Sequence, residues 1–514
     1  MRHDVLIAGA GPTGLVLALW LTKMGLSVRI ISKAPGPGTA SRALVVHART
    51  LELYGQADLA DAVVAQGYEV GGVSLWVKGV RQAQISLTGA GAGHTRYPFV
   101  HIYPQDSHER LLVERLEKAG ASVEWDTTLL EFQDDAGRGV TARLQMPDGS
   151  LASCEAAYLA GCDGASSTVR KIIGVGFPGD TYQQTFYVAD VEAEGPPMNG
   201  ELNLDLDSSD FLAVFPLDAG SRARLIGTVK RDAGETADLR FEDVDQHAAQ
   251  NLKIQVKAVH WFSTYRVHHR VTDHFRKGRA FLLGDAAHIH SPAGGQGMNT
   301  GIGDAVNLAW KIAMTVKGSA PDRLLDSYEE ERMAFARSLV RTTDQAFSLA
   351  TSQGGLASMI RTRVVPVVMP LALRLEPLRE RIFKTVSQLQ INYRGDTLSA
   401  GQAGDVAGGD RLPWVELGGG CSNYDGFREM RWQAHVYGEA AAELTQWCRS
   451  NGIRLECFDW EKRYADAGIA RDACYLMRPD SYVALADPQP SPEKMEAYFG
   501  AQGIRLPLTS PSAI

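Results

Sequence analysis

What the sequence lacks narrows the field before any motif is considered. No apolar run is long enough to span a bilayer. The richest N-terminal stretch, Val5 to Leu21, is interrupted by Gly9, Gly11, Pro12 and Gly14, and Asp4 breaks the charged-then-apolar ramp of a secretory signal. A protein with no signal peptide and no membrane span is therefore expected. Basic residues are not in excess: 52 Lys and Arg face 60 Asp and Glu, a formal charge of -8, and no basic cluster stands out. That excludes nucleic acid as the main partner. The six cysteines, Cys154, Cys162, Cys421, Cys448, Cys457 and Cys474, fall in no CxxC or zinc spacing and read as reduced thiols of a cytoplasmic protein. Internal repeats are absent as well.

What is present is a soluble, globular composition, 45% hydrophobic and 22% charged, over 514 residues. That length predicts about three domains. "HDVLIAGAGPTGLVLALWLTKMGLSVRIISK" alternates strand, glycine turn, helix and strand, which makes a βαβ unit. Gly9, Gly11 and Gly14 form GxGxxG at its turn. The first permits the bend, the second lets backbone approach a pyrophosphate and the third lets helix pack on strand, with the phosphate at the helix N-terminus. The acid expected at the end of the second strand to hold a ribose is missing, and Ser32 stands there, followed by Lys33.

Further along, "TGAGAGH" (Thr88 to His94) has no helix after it and reads as a mobile loop. "FVHIYPQDSHERLLVERLEKAGASVEW" is another strand, helix and strand, and "AAYLAGCDGASSTVRKIIG" a strand to Cys162, an Asp163-Gly164 turn and a short helix. From Tyr182 to Arg270 apolar residues alternate, predicting an antiparallel sheet with one covered face. The chain then returns at "GRAFLLGDAAHIHSPAGGQGMNTGIGDA", where a strand runs into a glycine-dense turn and a helix. Met359 to Leu373 is apolar enough to lie on a membrane or partner, with packing between domains the preferred reading. "GQAGDVAGGD", Gly401 to Asp410, reads as a linker to a separate α/β tail.

Three motifs coincide in order and spacing: GAGPTG (Gly9 to Gly14), CDGASSTVR (Cys162 to Arg170) and GDAAHIHSPAGGQGMN (Gly284 to Asn299). Together they resemble the FAD-dependent aromatic hydroxylases, class A flavoprotein monooxygenases with the para-hydroxybenzoate hydroxylase fold, over roughly residues 1–395. The tail, with "GDRLP" at Gly409 to Pro413 and "LMRPDSYVA" at Leu476 to Ala484, is similar to the thioredoxin-like domain of the phenol hydroxylase and pentachlorophenol monooxygenase branch. The resemblance implies an α/β fold: a Rossmann-like FAD-binding domain over 1–181 and 271–395, an inserted antiparallel-sheet substrate domain over 182–270, and a thioredoxin-like domain over 396–514. It implies bound FAD, NADPH or NADH as transient reductant, and molecular oxygen attacking a phenolic ring from a flavin C4a-hydroperoxide. A small aromatic molecule would be the partner, and a homodimer is left open.

Carried over by position, Gly9, Gly11, Gly14, Ser32, Arg42, Gln105, Asp163, Gly164, Gly284 and Asp285 would hold the cofactor. Pro292, Gly295, Gly297, Met298 and Asn299 would lie under the isoalloxazine ring, where a Cβ at Gly294, Gly295 or Gly297 would collide with it. The following helix would direct its N-H groups at the ring's pyrimidine edge and stabilise the anionic reduced flavin. Asp285, His288 and His290 are disfavoured as metal ligands, since Asp285 serves the flavin and no further ligand has suitable spacing. His288 reads as structural. His47, with an ordinary pKa near 6.5, is the candidate general base for a phenol, with His290 and Tyr265 next in line. Phe211, Phe215 and Pro292 are candidates for the substrate wall. A flavin epoxidase or halogenase on the same scaffold, and a non-catalytic FAD-binding redox sensor, are the alternatives.

Overall fold

The computed structural model describes residues 2–39, 43–135, 137–206, 211–229, 239–244, 247–291, 293–351 and 359–507. The first sheet holds the strand His3–Ala8 between Val28–Ile31 and Leu151–Gly161, with Ala280–Leu282 beyond the latter, all four parallel. Strands covered on both faces need apolar residues at every position, and "VLIA" and "AFL" are buried throughout. The helix Pro12–Lys23 is buried from Gly14 to Leu21 on all its faces. It lies between the helices Gln105–Lys118 and Gln296–Val316, which is why it is apolar all round rather than amphipathic.

The second sheet has eight strands centred on Gly179–Glu194, which pairs antiparallel with Arg222–Val229 and Gln255–Val271. Tyr187, Ala189, Val191, Leu212, Val214 and Leu225 are covered by the segment from Phe241 to Ile254. The opposite face carries Phe186, Val188, Asp190, Arg224 and Phe215, and Phe215 packs with Leu44 and Val45 of the first domain. Two strands lying well before residue 182, Gly72–Val77 and Val80–Ser86, complete this sheet, the former parallel to Leu202–Asp205. The expected division at 182 also cuts into the strand that begins at Gly179.

Three expectations are corrected. Gly401 to Asp410 is no linker: Ala400–Ala403 and Val406–Ala407 are strands of the C-terminal six-stranded sheet, and a Cβ on Gly401 or Gly408 would overlap the backbone of Ala486 or Ala400. The glycines there serve close packing. The loop Thr88 to His94 is tied down, with Gly91 against Phe383 and His94 paired to Glu380 at 2.9 Å. The helix Val365–Ala372 does not bury its apolar residues between domains, because Val367, Val368 and Leu371 are each more than half exposed. Among the described residues no helix is long and apolar enough to cross a membrane.

Candidate active site

Ile31, Ala8, Gly161 and Leu282 stand in one row across the first sheet, and each motif leaves from one of them. Ser32 follows the first, Gly9 to Gly14 the second, Asp163-Gly164 the third and Gly284-Asp285 the fourth. Ligands of open parallel sheets sit at the carboxyl ends of the strands. Strand register alone therefore gathers segments distant in sequence into one crevice.

The glycines of this crevice are of two kinds. Gly9 has φ +107°, and a Cβ on it would overlap the Cys162 carbonyl; a Cβ on Gly14 would overlap the carbonyl of Gly9; Gly284 and Gly301 are kept bare by Thr13. The protein's own packing demands these. Gly11 differs, with an ordinary φ of -75° and nothing within 4 Å of where its Cβ would be. It caps the helix Pro12–Lys23 without a side chain and faces a cavity of about 260 Å³ lined by Gly9, Ser32, Lys33, Thr127 and Asp163. Bare backbone, an uncapped helix N-terminus and a nearby lysine are what a pyrophosphate requires.

At the other end, Gly295 (φ +65°) caps the helix Gln296–Val316, again with no side-chain cap. A Cβ on Gly295 would meet that of Val45 at 2.8 Å, and Gly294 has φ +75°. At Gly297 the nearest atom would be His290 Nε2 at 3.7 Å, an ordinary contact. Backbone conformation by itself therefore favours glycine at Gly294 and Gly295, while Gly297 is left open without internal need. Asn299 Oδ1 accepts from the His47 N-H (2.9 Å) and Thr50 Oγ (2.7 Å), while Nδ2 donates to the carbonyls of Val45 (2.8 Å) and Gly295 (2.9 Å). It ties the glycine segment to the start of the helix Ala48–Gly55. Met298 packs on the core beside it.

A family model described as an FAD binding domain matches residues 2–343. The chain belongs to this FAD-binding family. It is 38% identical over 419 residues to 6-methylpretetramide 4-monooxygenase of Streptomyces rimosus, covering 79% of this chain and 72% of that one. Pentachlorophenol 4-monooxygenase of Sphingobium chlorophenolicum is 31% identical over 457 residues, 86% of this chain and 81% of that one. Among solved structures, OxyS anhydrotetracycline hydroxylase from Streptomyces rimosus superposes with a TM-score of 0.78 at 29% identity, over 98% of this chain and 100% of that one. The protein is an FAD-dependent aromatic monooxygenase, and its Rossmann-type flavin domain has the expected architecture.

In the monooxygenase the remaining expected residues fall into distinct places. Ser32 lies at the cavity wall, its Oγ accepting from the Ala34 N-H at 3.2 Å. Asp163 is engaged locally: Ser167 Oγ and the N-H groups of Thr168 (2.6 Å) and Val169 (3.1 Å) donate to it, so it caps the helix Thr168–Ile173 and shapes the turn at Gly164. Gln105 accepts from the Ala43 N-H (3.2 Å) and donates to Glu109 (2.8 Å), which also accepts from the Gly38 N-H (2.7 Å). Asp285 is exposed on the turn after Ala280–Leu282. Arg42 and Pro292 lie outside the described residues.

His47 and His290 flank the glycine segment. His47 is buried at the N-cap of Ala48–Gly55; its ring faces the carbonyls of Gly294 and Gly295, and its Nε2 has no partner among the described residues. Burial lowers its pKa to about 4, the backbone carbonyls offsetting only part of the effect. The ordinary value near 6.5 expected of a general base therefore does not hold. His290 Nδ1 contacts the Ser291 carbonyl at 2.8 Å; its Nε2 is likewise without a partner, and burial lowers it to about 4. Two orphaned ring nitrogens beside bare backbone fit a planar heterocycle with hydrogen-bonding edges. Tyr265 and Phe211 pack instead around Phe186 and Val267, and Phe215 in the separate cluster with Val45.

Sequence reasoning missed Asp304. Fully buried on the helix Gln296–Val316, it accepts from the Gly284 N-H (3.0 Å), His288 Nε2 (2.7 Å) and Arg332 Nε (2.7 Å). It thereby fastens the turn bearing Asp285 to the helix bearing Asn299. His288 belongs to this support. The available signal was an acid among "IGDAVNLAW", on a helix otherwise buried.

Proposed function

We propose that this aromatic monooxygenase hydroxylates a phenol of several fused rings. The carrying observation is the length of the largely apolar sheet face that reaches Val45, which lies against Gly295. On one face of the second sheet, Phe215 beside the Arg224–Asp190 ion pair, Ala213 with Ile226 and Val188, and Phe211 with Phe186 and Tyr265 succeed one another along neighbouring strands. Four residues of strand span about 13 Å, more than a single benzene ring fills. The relatives' names, a pretetramide and an anhydrotetracycline hydroxylase among them, support a polycyclic substrate.

FAD fits the crevice, with Gly11 and the helix start at Pro12 holding its pyrophosphate, Asp285 its ribityl chain and Gly297 to Asn299 its ring. When bound and reduced by NADH or NADPH, it supplies the activated oxygen. The chain's own residues do the rest. The helix beginning at Gln296 presents positive potential to the ring's pyrimidine edge. His47, held neutral, offers the Nε2 lone pair to a phenolic O-H and orients the ring for attack, a hydrogen-bonding role replacing that of a free base. The second sheet keeps water out. A cytoplasmic location belongs to the same reading, all six cysteines being free thiols. The test is NAD(P)H oxidation with fused-ring and single-ring phenols under labelled dioxygen. Stimulation with one labelled atom in the fused-ring product is expected; equal coupling with pentachlorophenol-sized rings would remove the size argument.

A further inference from the structure

Arg478 follows the strand Cys474–Met477 of the C-terminal domain, yet its side chain is fully buried against the two long helices behind the flavin crevice. Its Nη1 and Nη2 donate to the two oxygens of Glu331 (2.5 and 3.0 Å), and Nε and Nη2 to those of Asp480 (3.0 and 2.6 Å). Glu331, on the helix Asp326–Thr351, also accepts from Lys311 Nζ (2.8 Å) and Asn307 Nδ2 (2.6 Å), and Asp480 accepts from Trp310 Nε1 (3.0 Å). Lys311, Asn307 and Trp310 all lie on the helix Gln296–Val316. The neighbouring Arg332 continues the chain of contacts to Asp304 and to the Thr300 carbonyl (3.1 Å).

The same C-terminal turn grips the other helix that ends at the crevice. Arg49 Nη2, two residues beyond His47, donates to the Asp480 carbonyl and to Ser481 Oγ, each at 3.1 Å, and Gln56 Nε2 donates to the Pro479 carbonyl at 3.2 Å. Residues 478–481 thus touch both Ala48–Gly55, which starts after His47, and Gln296–Val316, which starts after Gly295. Apolar contact alone would hold two domains together at less desolvation cost than buried ions. Forked, directional charge pairs fix angle and register.

We propose that Arg478 is a positioning residue for hydroxylation: by setting these two helices against each other it places His47 over the segment Gly295 to Asn299, which makes the C-terminal domain a working part of the flavin site. This rests on the crevice being the FAD site, so uptake of FAD by the parent protein is measured first; a parent that binds none overturns the flavin reading itself. The variants are made in the full-length protein. Arg478→Met leaves the buried Asp480 carboxylate without a cation and can fail to fold, so it is accompanied by Arg478→Met/Asp480→Asn, in which Glu331 keeps Lys311 and no buried charge is left alone. Well below the melting temperature, the double variant should bind FAD at least tenfold more weakly and yield at least threefold less product per NAD(P)H. Arg478→Lys should recover part of the coupling. Ser481→Ala, which deletes one bond of the same contact, should show both changes at about twofold. Parental FAD affinity and coupling in the folded double variant, or in Ser481→Ala where the double does not fold, would overturn the role of Arg478 and leave the flavin site standing.

Discussion

Gly11 and Gly14 sit three residues apart in one motif and have different reasons for being glycine. Gly11→Ala adds a methyl group only where the pyrophosphate would approach, so FAD affinity should drop at least tenfold while the FAD-free melting temperature stays put. Gly14→Ala forces the first helix off the Gly9 carbonyl and should cost about 1–3 kcal/mol of stability with or without FAD. Titration of flavin fluorescence beside thermal melts separates the two; a matched loss of stability in both variants would contradict the assignment of Gly11. His47 allows a pH argument. Its pKa of about 4 leaves it neutral through the usual assay range, so product per NAD(P)H should be flat from about pH 6 to 9 and fall below about pH 5 as the lone pair takes a proton. His47→Gln should lower coupling and abolish that acid fall; an unchanged profile would show that His47 does not meet the substrate. The glycine motif was legible in the sequence because close backbone approach is a local constraint. The pKa of His47 was not, since its burial, and the Gly294 and Gly295 carbonyls that offset part of the effect, depend on how segments far apart in the chain pack together.

At the scale of elements, one turn and one helix share the cofactor, and two acids distinguish their parts. Asp285→Ala should weaken FAD by about 1.5–3 kcal/mol, the worth of a charge-assisted hydrogen bond, and spare the fold, because the side chain is exposed. Asp304→Ala removes the acceptor of the Gly284 N-H, His288 and Arg332 at once and should cost about 3–5 kcal/mol of stability as well as FAD affinity. Urea melts and FAD titrations of both variants check this, and a fully stable Asp304→Ala would refute it. The strand-turn-helix units were readable because their apolar periodicity is contained within each unit. Asp304, Glu331 and Arg478 were not, because their partners come from other elements. Glycines at 401–409 misled for a related reason: positive φ and tight strand packing produce the same composition as a flexible tether.

For the molecule as a whole, histidines whose pKa is pushed well down set the acid limit. His47 and His290 are lowered to about 4, His108 and His435 to about 3, in each case chiefly by burial. Below pH 6.5 the unfolded chain binds protons that the folded protein refuses. Stability is therefore full above about 6.5 and falls as the pH drops towards 4, by up to about 1.4 kcal/mol per pH unit for each histidine. Melting temperatures at pH 7 and 5 should differ by many degrees, and His435→Phe, which keeps the stack on Phe427, should narrow the gap; equal values at the two pH settings would contradict the burial of these rings. The row Ile31, Ala8, Gly161 and Leu282 has a consequence in time as well as in space. A ribosome makes the first three of these strand ends long before the fourth, and at about 5–20 residues per second five of the eight strands of the second sheet are synthesised in between. The nascent N-terminal unit therefore waits seconds to tens of seconds with the side of Leu151–Gly161 that later receives Ala280–Leu282 uncovered. Stalled nascent chains ending before Ala280 should hold no FAD and should recruit chaperones, whereas chains released at full length should acquire the cofactor only after synthesis ends.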